Sequence, residues 1–386
     1  MTIYLDYAAT TPVDPTVAEA MSRVLALQGE FGNPSSVFHG HGRRAAAAVE
    51  RARAQVAALV GAEPAEVVFV AGATEANNLA IKGVAQQVRA CGRHIVTMAT
   101  EHKAVIEPCR TLERVGYEVT YLRPDSDGLL DPAKLQAAMR ANTVLVSIMH
   151  VNNETGVVQD LSALAAVVSQ TPAYLHVDAA QSGGKLLINL KQMPIDLLSL
   201  SAHKFYGPKG IGALIARGRV RSELVPIIEG GGQEGGLRSG TLPTHQIVGM
   251  GEAAKVAAER RKDELAEVTA LSAAFLDELS RTTDFEVNGS RTDWYPGIVN
   301  VSFEGVDAFV ILNALTDVSA SASSACSSGT LEPSHVLRAM GIEDGRLYGA
   351  VRFSFGRFLA LPDVTRAARR VGEEVNRLRD LEATGT

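Results

Sequence analysis

The stretch "LLSLSAHKFYGPKG", Leu197 to Gly210, changes abruptly from apolar to polar residues. Its first five residues are typical of a buried β-strand, and polar and glycine residues follow at once. The same change recurs where "EVVFV" (66–70) meets "AGATEANN", "HIVTM" (94–98) meets "ATEHK", "TVLVSIM" (143–149) meets "HVNNETG" and "YLHV" (174–177) meets "DAAQSGG". Ligand sites of open α/β sheets lie beyond the carboxyl ends of the strands, so these endings together predict one site.

The spacing of these runs predicts the fold. Between about residues 64 and 216 they alternate with helix-like segments, which indicates an α/β fold with a mostly parallel central sheet flanked by helices. A long helical stretch follows from about Gln246 to Ser280, and after it the pattern of predicted strands and helices changes. The later strands are expected near 285–287, 298–303 and 350–355, with helices near 307–315 and 362–380. We therefore predict a large domain at 15–255 and a smaller α+β domain made of 1–14 and 256–386.

Composition excludes several classes of protein. The chain has 386 residues, of which 46% are hydrophobic and 21% charged, as in ordinary soluble proteins. Its net charge of −6 argues against general nucleic-acid binding. No apolar run approaches the ~18 residues of a membrane span, and the first residues lack the pattern of a secretory signal.

The three cysteines, Cys91, Cys109 and Cys326, form neither a disulfide framework nor a zinc motif, since their number is odd and no CxxC spacing occurs. This favours a reducing cytoplasm. The pair His39 and His41 has no third ligand at useful spacing, and we predict no metal there.

Two residues at strand ends suggest a particular chemistry. Lys204 follows a buried strand and has Ser201 and His203 as polar neighbours, although a lysine at a strand end is usually a surface residue. Asp178 ends an apolar strand, where a buried carboxylate needs a cationic or N–H partner. The "GAT" stretch, 72–74, is equally consistent with a helix cap and with a phosphate cradle. An amine, a carboxylate and a phosphate cradle are the groups that pyridoxal phosphate requires.

Longer motifs cover the chain from Ile3 to about Leu381. They are "YLDYAATTP" (4–12), "GATEANNLAIKG" (72–83), "TEHKAV" (100–105), "SIMHVNNETGVVQD" (147–160), "HVDAAQSGGK" (176–185), "SAHKFYGPKGIGAL" (201–214), "RSGTLPTHQIVGMGEA" (238–253), "SSACSSGTLEPSHVLRAMG" (323–341) and "VRFSFGRF" (351–358). In this order they resemble the NifS/IscS-type cysteine desulfurases, class-V aminotransferases of pyridoxal-phosphate fold type I. The resemblance implies a homodimer that converts L-cysteine to L-alanine and holds the sulfur as an enzyme persulfide.

The resemblance also implies roles for single residues. Lys204 would form the Schiff base with pyridoxal phosphate, Asp178 would face its pyridine nitrogen, and Gln181 would bond its phenolic oxygen. His102 would stack on the ring and transfer protons. The phosphate would be held by Ala73, Thr74, Ser201 and His203, and by Arg238 and Thr241 of the neighbouring subunit. Asn153 and Arg352 would bind the substrate, and Cys326 would accept its sulfur.

The segment around Cys326, "SASASSACSSGT" (319–330), holds almost no side chain able to fill a core. We expect it to be mobile, because so little apolar burial does not offset an ordering entropy of ~1–2 kcal/mol per residue. Three details depart from the family pattern. The run "SASSACSSGT" (321–330) differs slightly from the commoner Ser-Gly-Ser-Ala-Cys run. Ala202 stands where glycine is common, and the sequence stops at "RLRDLEATGT", which leaves an iron–sulfur scaffold in question as the sulfur acceptor.

Three alternatives remain open. An aminotransferase or a selenocysteine lyase of the same fold would share Lys204 and Asp178, but transamination needs no thiol at Cys326. A non-catalytic sulfur-transfer adaptor would not need to retain these three residues. The sequence does not name the acceptor, which could be an iron–sulfur scaffold or another sulfur carrier, and no membrane or direct nucleic-acid partner is expected.

Overall fold

The computed structural model describes residues 2–87, 92–322 and 333–384, which form two units, each built around a β-sheet. Cys91 and Cys326 lie outside the described residues. The strands, numbered along the chain, are β1 (Ile3–Tyr4), β2 (Val67–Val70), β3 (His94–Met98), β4 (Glu118–Leu122), β5 (Thr143–Met149), β6 (Tyr174–Asp178), β7 (Leu197–Ser201), β8 (Gly212–Ala216), β9 (Glu286–Val287), β10 (Ile298–Ser302), β11 (Val318–Ser319), β12 (Ser321–Ala322) and β13 (Ala350–Ser354).

Helices flank both sheets. They are α1 (Pro15–Leu25), α2 (Gly40–Val60), α3 (Ala73–Gln87), α4 (Lys103–Glu113), α5 (Pro132–Ala138), α6 (Leu161–Val168), α7 (Gly218–Glu223), α8 (Thr244–Ser280), α9 (Ala308–Ala314), α10 (His335–Ala339), α11 (Asp344–Leu347) and α12 (Leu361–Thr384). None of them, over the described ranges, is long and apolar enough to cross a membrane.

The larger unit contains a seven-stranded sheet in the order β2-β8-β7-β6-β5-β3-β4. Strands β7, β6, β5, β3 and β4 run parallel, whereas β8 is antiparallel to both β7 and β2. Neighbouring side chains on a strand enter opposite cores, as Ile95 and Val96 do. The predicted α/β fold with a mostly parallel sheet is confirmed.

The smaller unit has an antiparallel sheet in the order β12-β13-β10-β9, beside a parallel pair formed by β1 and β11. Its core contains apolar residues of β10 and β13, of α12, and of the N-terminal segment through Leu5 and Ala8. The segment between β1 and α1 therefore leaves the smaller unit and reaches the larger one. It passes the carboxyl ends of the parallel strands on the way, where Thr11 N donates to His203 O at 3.0 Å.

Helix α8 contributes to both cores, with Ile247 and Ala257 in one and Val268 and Leu279 in the other. The proposed domain boundary at residue 255 falls inside this continuous helix. Near the chain start, Asp14 caps α1 and Pro15 is its first residue, the positions that these residue types favour.

Helix α2 was not predicted from the sequence. The helix begins after His39, a residue type that is uncommon at helix starts. The ring Nδ1 of His39 accepts a hydrogen bond from Gly42 N at 3.1 Å. His39 thus has a structural task at the helix terminus. The neighbouring His41 ring lies 2.8 Å from Arg44 Nη2.

Candidate active site

A cavity of about 800 Å³ opens at the carboxyl ends of the parallel strands, where the N-terminal segment and strand β13 meet them. It is the place that the strand endings predict. Most residues singled out from the sequence line it: Ala73, Thr74, His102, Asn153, Asp178, Gln181, Ser201, His203, Lys204 and Arg352. Residues far apart in the sequence are thereby brought to one site.

Asp178, the last residue of β6, provides a buried carboxylate at the base of the cavity and is only 3% exposed. Its Oδ2 accepts a hydrogen bond from Asn77 Nδ2 at 2.7 Å, and its Oδ1 accepts one from Ala180 N at 2.9 Å. These bonds fix the carboxylate and leave lone pairs for a further donor. A protonated ring nitrogen is the kind of donor that such a buried carboxylate favours.

Lys204 ends the short 3-10 turn that follows β7. Its Nζ donates to Ala8 O at 2.5 Å and to Ala9 O at 2.9 Å, so the amine is held at the cavity by backbone oxygens of the N-terminal segment. Ala202, where the family often has glycine, is fully buried, and a Cβ on Gly207 would come within 2.8 Å of its methyl group. Glycine at 207 leaves room for the extra methyl group at 202.

The start of helix α3, which also borders the cavity, suits an anion. Helix α3 begins at Ala73, and its first backbone N–H groups are available for a phosphate. Gly72 packs closely against strand β8 here, since a Cβ on Gly212 would come within 2.7 Å of Gly72 Cα. Burial, with help from nearby lysines, lowers the pKa of His203 to about 4, so this imidazole is neutral. Its Nδ1 lies 3.1 Å from Thr10 Oγ1.

His102 caps helix α4, and its Nδ1 accepts a hydrogen bond from Ala104 N at 3.0 Å. That bond assigns the ring proton of the neutral form to Nε2. Burial lowers the pKa of His102, the positive charge of Lys204 lowers it further, and Asp178 opposes the shift. In this tautomer Nε2–H is a donor toward the cavity, and the ring can take up a second proton only when Nδ1 releases its bond from Ala104 N.

Arg352 projects from β13 into the same cavity and is 3% exposed. Its Nη1 donates to Asn153 O at 2.8 Å and its Nη2 to Asp6 Oδ1 at 2.7 Å. Within the described part of the chain, its Nε is buried without a hydrogen-bond partner. An unused donor on a guanidinium whose other nitrogens are anchored is suited to a carboxylate ligand.

The residues just after the undescribed segment 323–332 lie beside this site. Ser334 Oγ donates to Glu154 Oε2 at 2.5 Å, and His335 Nε2 lies 2.9 Å from Glu101 O. Burial raises the pKa of Glu154 to about 7, although the Ser334 bond and nearby cations lower it. The chain therefore returns from the cysteine segment next to the cavity. Cys326 itself lies outside the described residues.

Two of the singled-out residues that the structure describes do not line the cavity. Arg238 Nε bonds to Glu75 Oε1 of its own chain at 2.9 Å, and Thr241 is exposed. Their predicted reach into a neighbouring subunit stays a prediction, as does the role of Cys326. Cys109, by contrast, is fully buried, and burial raises the pKa of its thiol to about 12, which makes it a poor nucleophile.

The sequence analysis missed several residues that organise the site. Asn77 positions Asp178, Asp6 pairs with Arg352, and Lys185 donates to Gln181. All three stand inside the quoted motifs. The available signal was a polar residue on an otherwise apolar face, as with Asn77, which is 0% exposed beside buried Leu79 and Ala80 on α3.

The residues present fit pyridoxal phosphate. The amine, the pre-positioned buried carboxylate and the helix terminus with Ser201 and His203 are grouped around one cavity. They match the aldehyde, the ring nitrogen and the phosphate of that cofactor.

Comparisons with known proteins agree with this geometry. The family model for class-V aminotransferases matches residues 3–366. A protein of Vibrio campbellii named cysteine desulfurase IscS is 52% identical over 379 residues, which cover 98% of this chain and 94% of the relative.

Solved structures show the same similarity. One titled NifS-like protein has a TM-score of 0.91 at 33% identity, covering 98% of this chain and 100% of the other. A structure titled SspA in complex with cysteine has a TM-score of 0.83 at 40% identity and covers 93% and 100%.

Proposed function

The chain belongs to the class-V aminotransferase family, and we propose that it is a pyridoxal-phosphate-dependent cysteine desulfurase. One observation of the structure carries this proposal. The amine of Lys204, the carboxylate of Asp178 and the open edge of Arg352 face a single cavity. The Vibrio relative supports this activity by name, and one solved relative is titled as a complex with cysteine.

Each group of the cofactor has a residue to hold it. Lys204 would hold the aldehyde carbon, Asp178 the ring nitrogen and Gln181 the ring oxygen. The start of α3 with Thr74, together with Ser201 and His203, would hold the phosphate, and Arg238 and Thr241 of a second subunit would complete this end. When bound, pyridoxal phosphate supplies an electron sink that makes the α-proton of an amino acid removable.

The remaining residues act on the substrate. Arg352 would bind the cysteine carboxylate with its free Nε edge, and Asn153, whose backbone anchors Arg352, would border the same pocket. Lys204 would act as the base at the α-carbon, and His102 would carry a proton at Nε2. Exclusion of water by the buried walls strengthens these charge interactions.

Sulfur transfer is a balanced exchange. The Cys326 thiolate attacks the substrate sulfur, an S–S bond forms, and the C–S bond of the substrate breaks. The electron pair left on carbon takes a proton from His102 or Lys204, which gives L-alanine and a persulfide on Cys326. The persulfide then passes to an acceptor thiol, so no external oxidant or reductant enters the step.

We extend the proposal to partners and location. A homodimer is supported by exposed apolar side chains along residues 25–38, among them Leu27, which is 81% exposed, and Phe38, which is 96% exposed. The acceptor would be an iron–sulfur scaffold or another sulfur-carrier protein. The cytoplasm suits a protein whose function requires a free thiol.

The proposal is tested with purified protein and pyridoxal phosphate. The wild type should absorb near ~420 nm, as a lysine-linked cofactor does, and should convert L-cysteine to L-alanine. A colourless protein, or production of a keto acid without alanine, would reject it. Activity on selenocysteine but not on cysteine would instead identify a lyase.

Borohydride reduction followed by peptide mapping tests the lysine assignment. Lys204 should carry the cofactor, and Lys204→Ala should lose both the visible band and alanine formation. Lys191→Ala is the matched control, because that lysine is exposed and lies outside the cavity. Labelling of any other lysine would contradict the assignment.

A further inference from the structure

A second lysine, Lys185, contacts a residue of the cavity wall, and the mechanism above gives it no role. Lys185 Nζ donates to Gln181 Oε1 at 3.0 Å and lies 5.5 Å from the centroid of the Tyr295 ring. It is half-buried and does not line the cavity. Its partner Gln181 does line the cavity and is 4% exposed.

The glycine turn of "AAQSGGK" (179–185) creates this contact. Gly183 N donates to Ala179 O at 2.7 Å, which folds the segment back on itself. Gly184 has a φ of 77°, and a Cβ there would come within 2.8 Å of Phe205 Cβ. Only glycine allows this approach. The turn therefore packs against the neighbour of Lys204 and brings Lys185 back to Gln181.

The orientation of the Gln181 amide depends on its partners, since its oxygen and nitrogen occupy nearly the same space. Its Nε2 donates to Ala8 O at 2.8 Å, the same carbonyl that accepts from Lys204. Lys185 offers a donor to the oxygen, and Ala8 offers an acceptor to the nitrogen. Both contacts select one orientation, and in it the second N–H of Gln181 is available to the cavity.

The surroundings keep Lys185 in place as a donor. Burial lowers the pKa of Lys185 to about 7, the charges of Lys204 and Arg352 lower it further, and Glu264 opposes the shift. An amine carries N–H donors in both protonation states. The bond to Gln181 therefore does not require the charged form.

We propose that Lys185 is a positioning residue that acts on the cofactor site through Gln181, by holding its amide so that a nitrogen donor faces the cofactor's ring oxygen. This inference rests on the proposed function, because Gln181 has that task only when pyridoxal phosphate occupies the cavity. It assigns Lys185 no contact with substrate or with the reacting atoms.

A double-mutant cycle tests the inference on holoenzyme. Lys185→Met, Gln181→Leu and the double variant are compared with wild type for the pH midpoint of the visible absorption change. The dissociation constant of pyridoxal phosphate is measured on cofactor-free protein. Lys185→Met should weaken cofactor binding about fivefold, the effect of one hydrogen bond. It should also raise the midpoint by about half a pH unit, because a less stabilised ring oxygen retains a nearby proton more tightly.

The effect of Lys185→Met in the Gln181→Leu protein shows whether Lys185 acts through Gln181. In Gln181→Leu, the further change Lys185→Met should alter neither quantity, because the path through the amide is already lost. Equal shifts in both backgrounds would show that Lys185 acts directly and would overturn the inference. So would an unchanged midpoint and affinity in Lys185→Met.

Thermal unfolding of the cofactor-free proteins, with Lys191→Met as the surface control, checks that the variants are folded. If Lys185→Met does not fold, Lys185→Leu enters the same cycle. A wild type without a visible band would reject the proposed function and the inference together. A loaded wild type with additive shifts would reject the inference alone.

Discussion

Arg352 and Arg357 are buried arginines of one short segment, strand β13 and the turn after it, yet their surroundings differ. Arg357 donates to Asp14 Oδ2 at 3.0 Å and to Glu264 Oε2 at 2.6 Å, and its guanidinium carbon lies 3.7 Å from the centroid of the Tyr206 ring. Arg352 has a single carboxylate partner, Asp6, and a buried Nε that no described residue contacts by hydrogen bond.

The difference separates an arginine enclosed by two carboxylates from one that keeps an unpartnered donor at the cavity. In the closed cluster, formed by Arg357, Asp14 and Glu264, two carboxylates and an aromatic face surround one cation. In the open cluster, formed by Arg352 and Asp6, part of the donor capacity is left for a ligand. A buried donor without a partner is costly to stability, which supports the proposed role of Arg352 in binding the substrate.

The largest effect is expected at the open cluster. Arg352→Met should lower kcat/KM for L-cysteine about a thousandfold, because two charge-assisted hydrogen bonds to the substrate carboxylate are lost. Steady-state kinetics and cofactor absorbance measure this. The visible band should stay unchanged, since Arg352 does not hold the cofactor, and a loss of less than tenfold would break the comparison.

The matched substitution at the closed cluster should have the opposite signature. Arg357→Met leaves Asp14 and Glu264 buried without their cation and should lower the free energy of unfolding by about 3 kcal/mol. Urea unfolding measures the loss. The KM for cysteine should change by less than about twofold in the protein that remains folded. A large rise in KM with normal stability would place Arg357 in the binding site instead.

The buried carboxyl of Glu154, next to the cavity residue Asn153, provides a test by pH. In the described chain no ion pair reaches Glu154, and burial raises its pKa from 4.5 to about 7. The folded state therefore binds this proton more tightly than the unfolded state, and the stability so gained is present below pH 4.5 and lost as pH rises through 7.

Glu154→Gln should remove this dependence. Relative to wild type, the variant should gain about 2 kcal/mol of unfolding free energy between pH 5 and pH 8. Urea unfolding of both proteins at the two pH values measures the gain. An equal difference between the proteins at both pH values would show that Glu154 is ionised throughout.

The smallest effect concerns the carboxylate that shares Arg352. Asp6→Asn keeps an acceptor for Nη2 but removes a negative charge next to the site proposed for the substrate carboxylate. Less repulsion should lower the KM for cysteine about fivefold. Initial-rate measurements at low and high salt provide the check, and a raised KM would show that Asp6 mainly holds Arg352 in position.

The strands were predictable from the sequence because each depends on local information. Buried parallel strands appear in the sequence as short apolar runs, so the predicted ranges 94–98 and 143–149 coincide with β3 and β5. Helix α2 was missed because its alanine-rich turns give little amphipathic contrast and its cap is a histidine.

The site was predictable only in part, for a physical reason. Asp178 and Lys204 stand directly at strand ends, where position alone indicates a role. Asp6 meets Arg352 across 346 residues of sequence, and Asn77 meets Asp178 across 101. Such pairings depend on tertiary packing, which no local pattern reports.

The central claim, that Cys326 accepts sulfur from cysteine bound by this cavity, is tested most directly by a single turnover with L-cysteine followed by alkylation and peptide mass mapping. One added sulfur should appear on Cys326, with an equal amount of L-alanine. None should appear on the buried Cys109, and Cys326→Ser should keep the visible band but form neither product. Normal alanine formation by Cys326→Ser, or a persulfide on Cys109, would contradict the account.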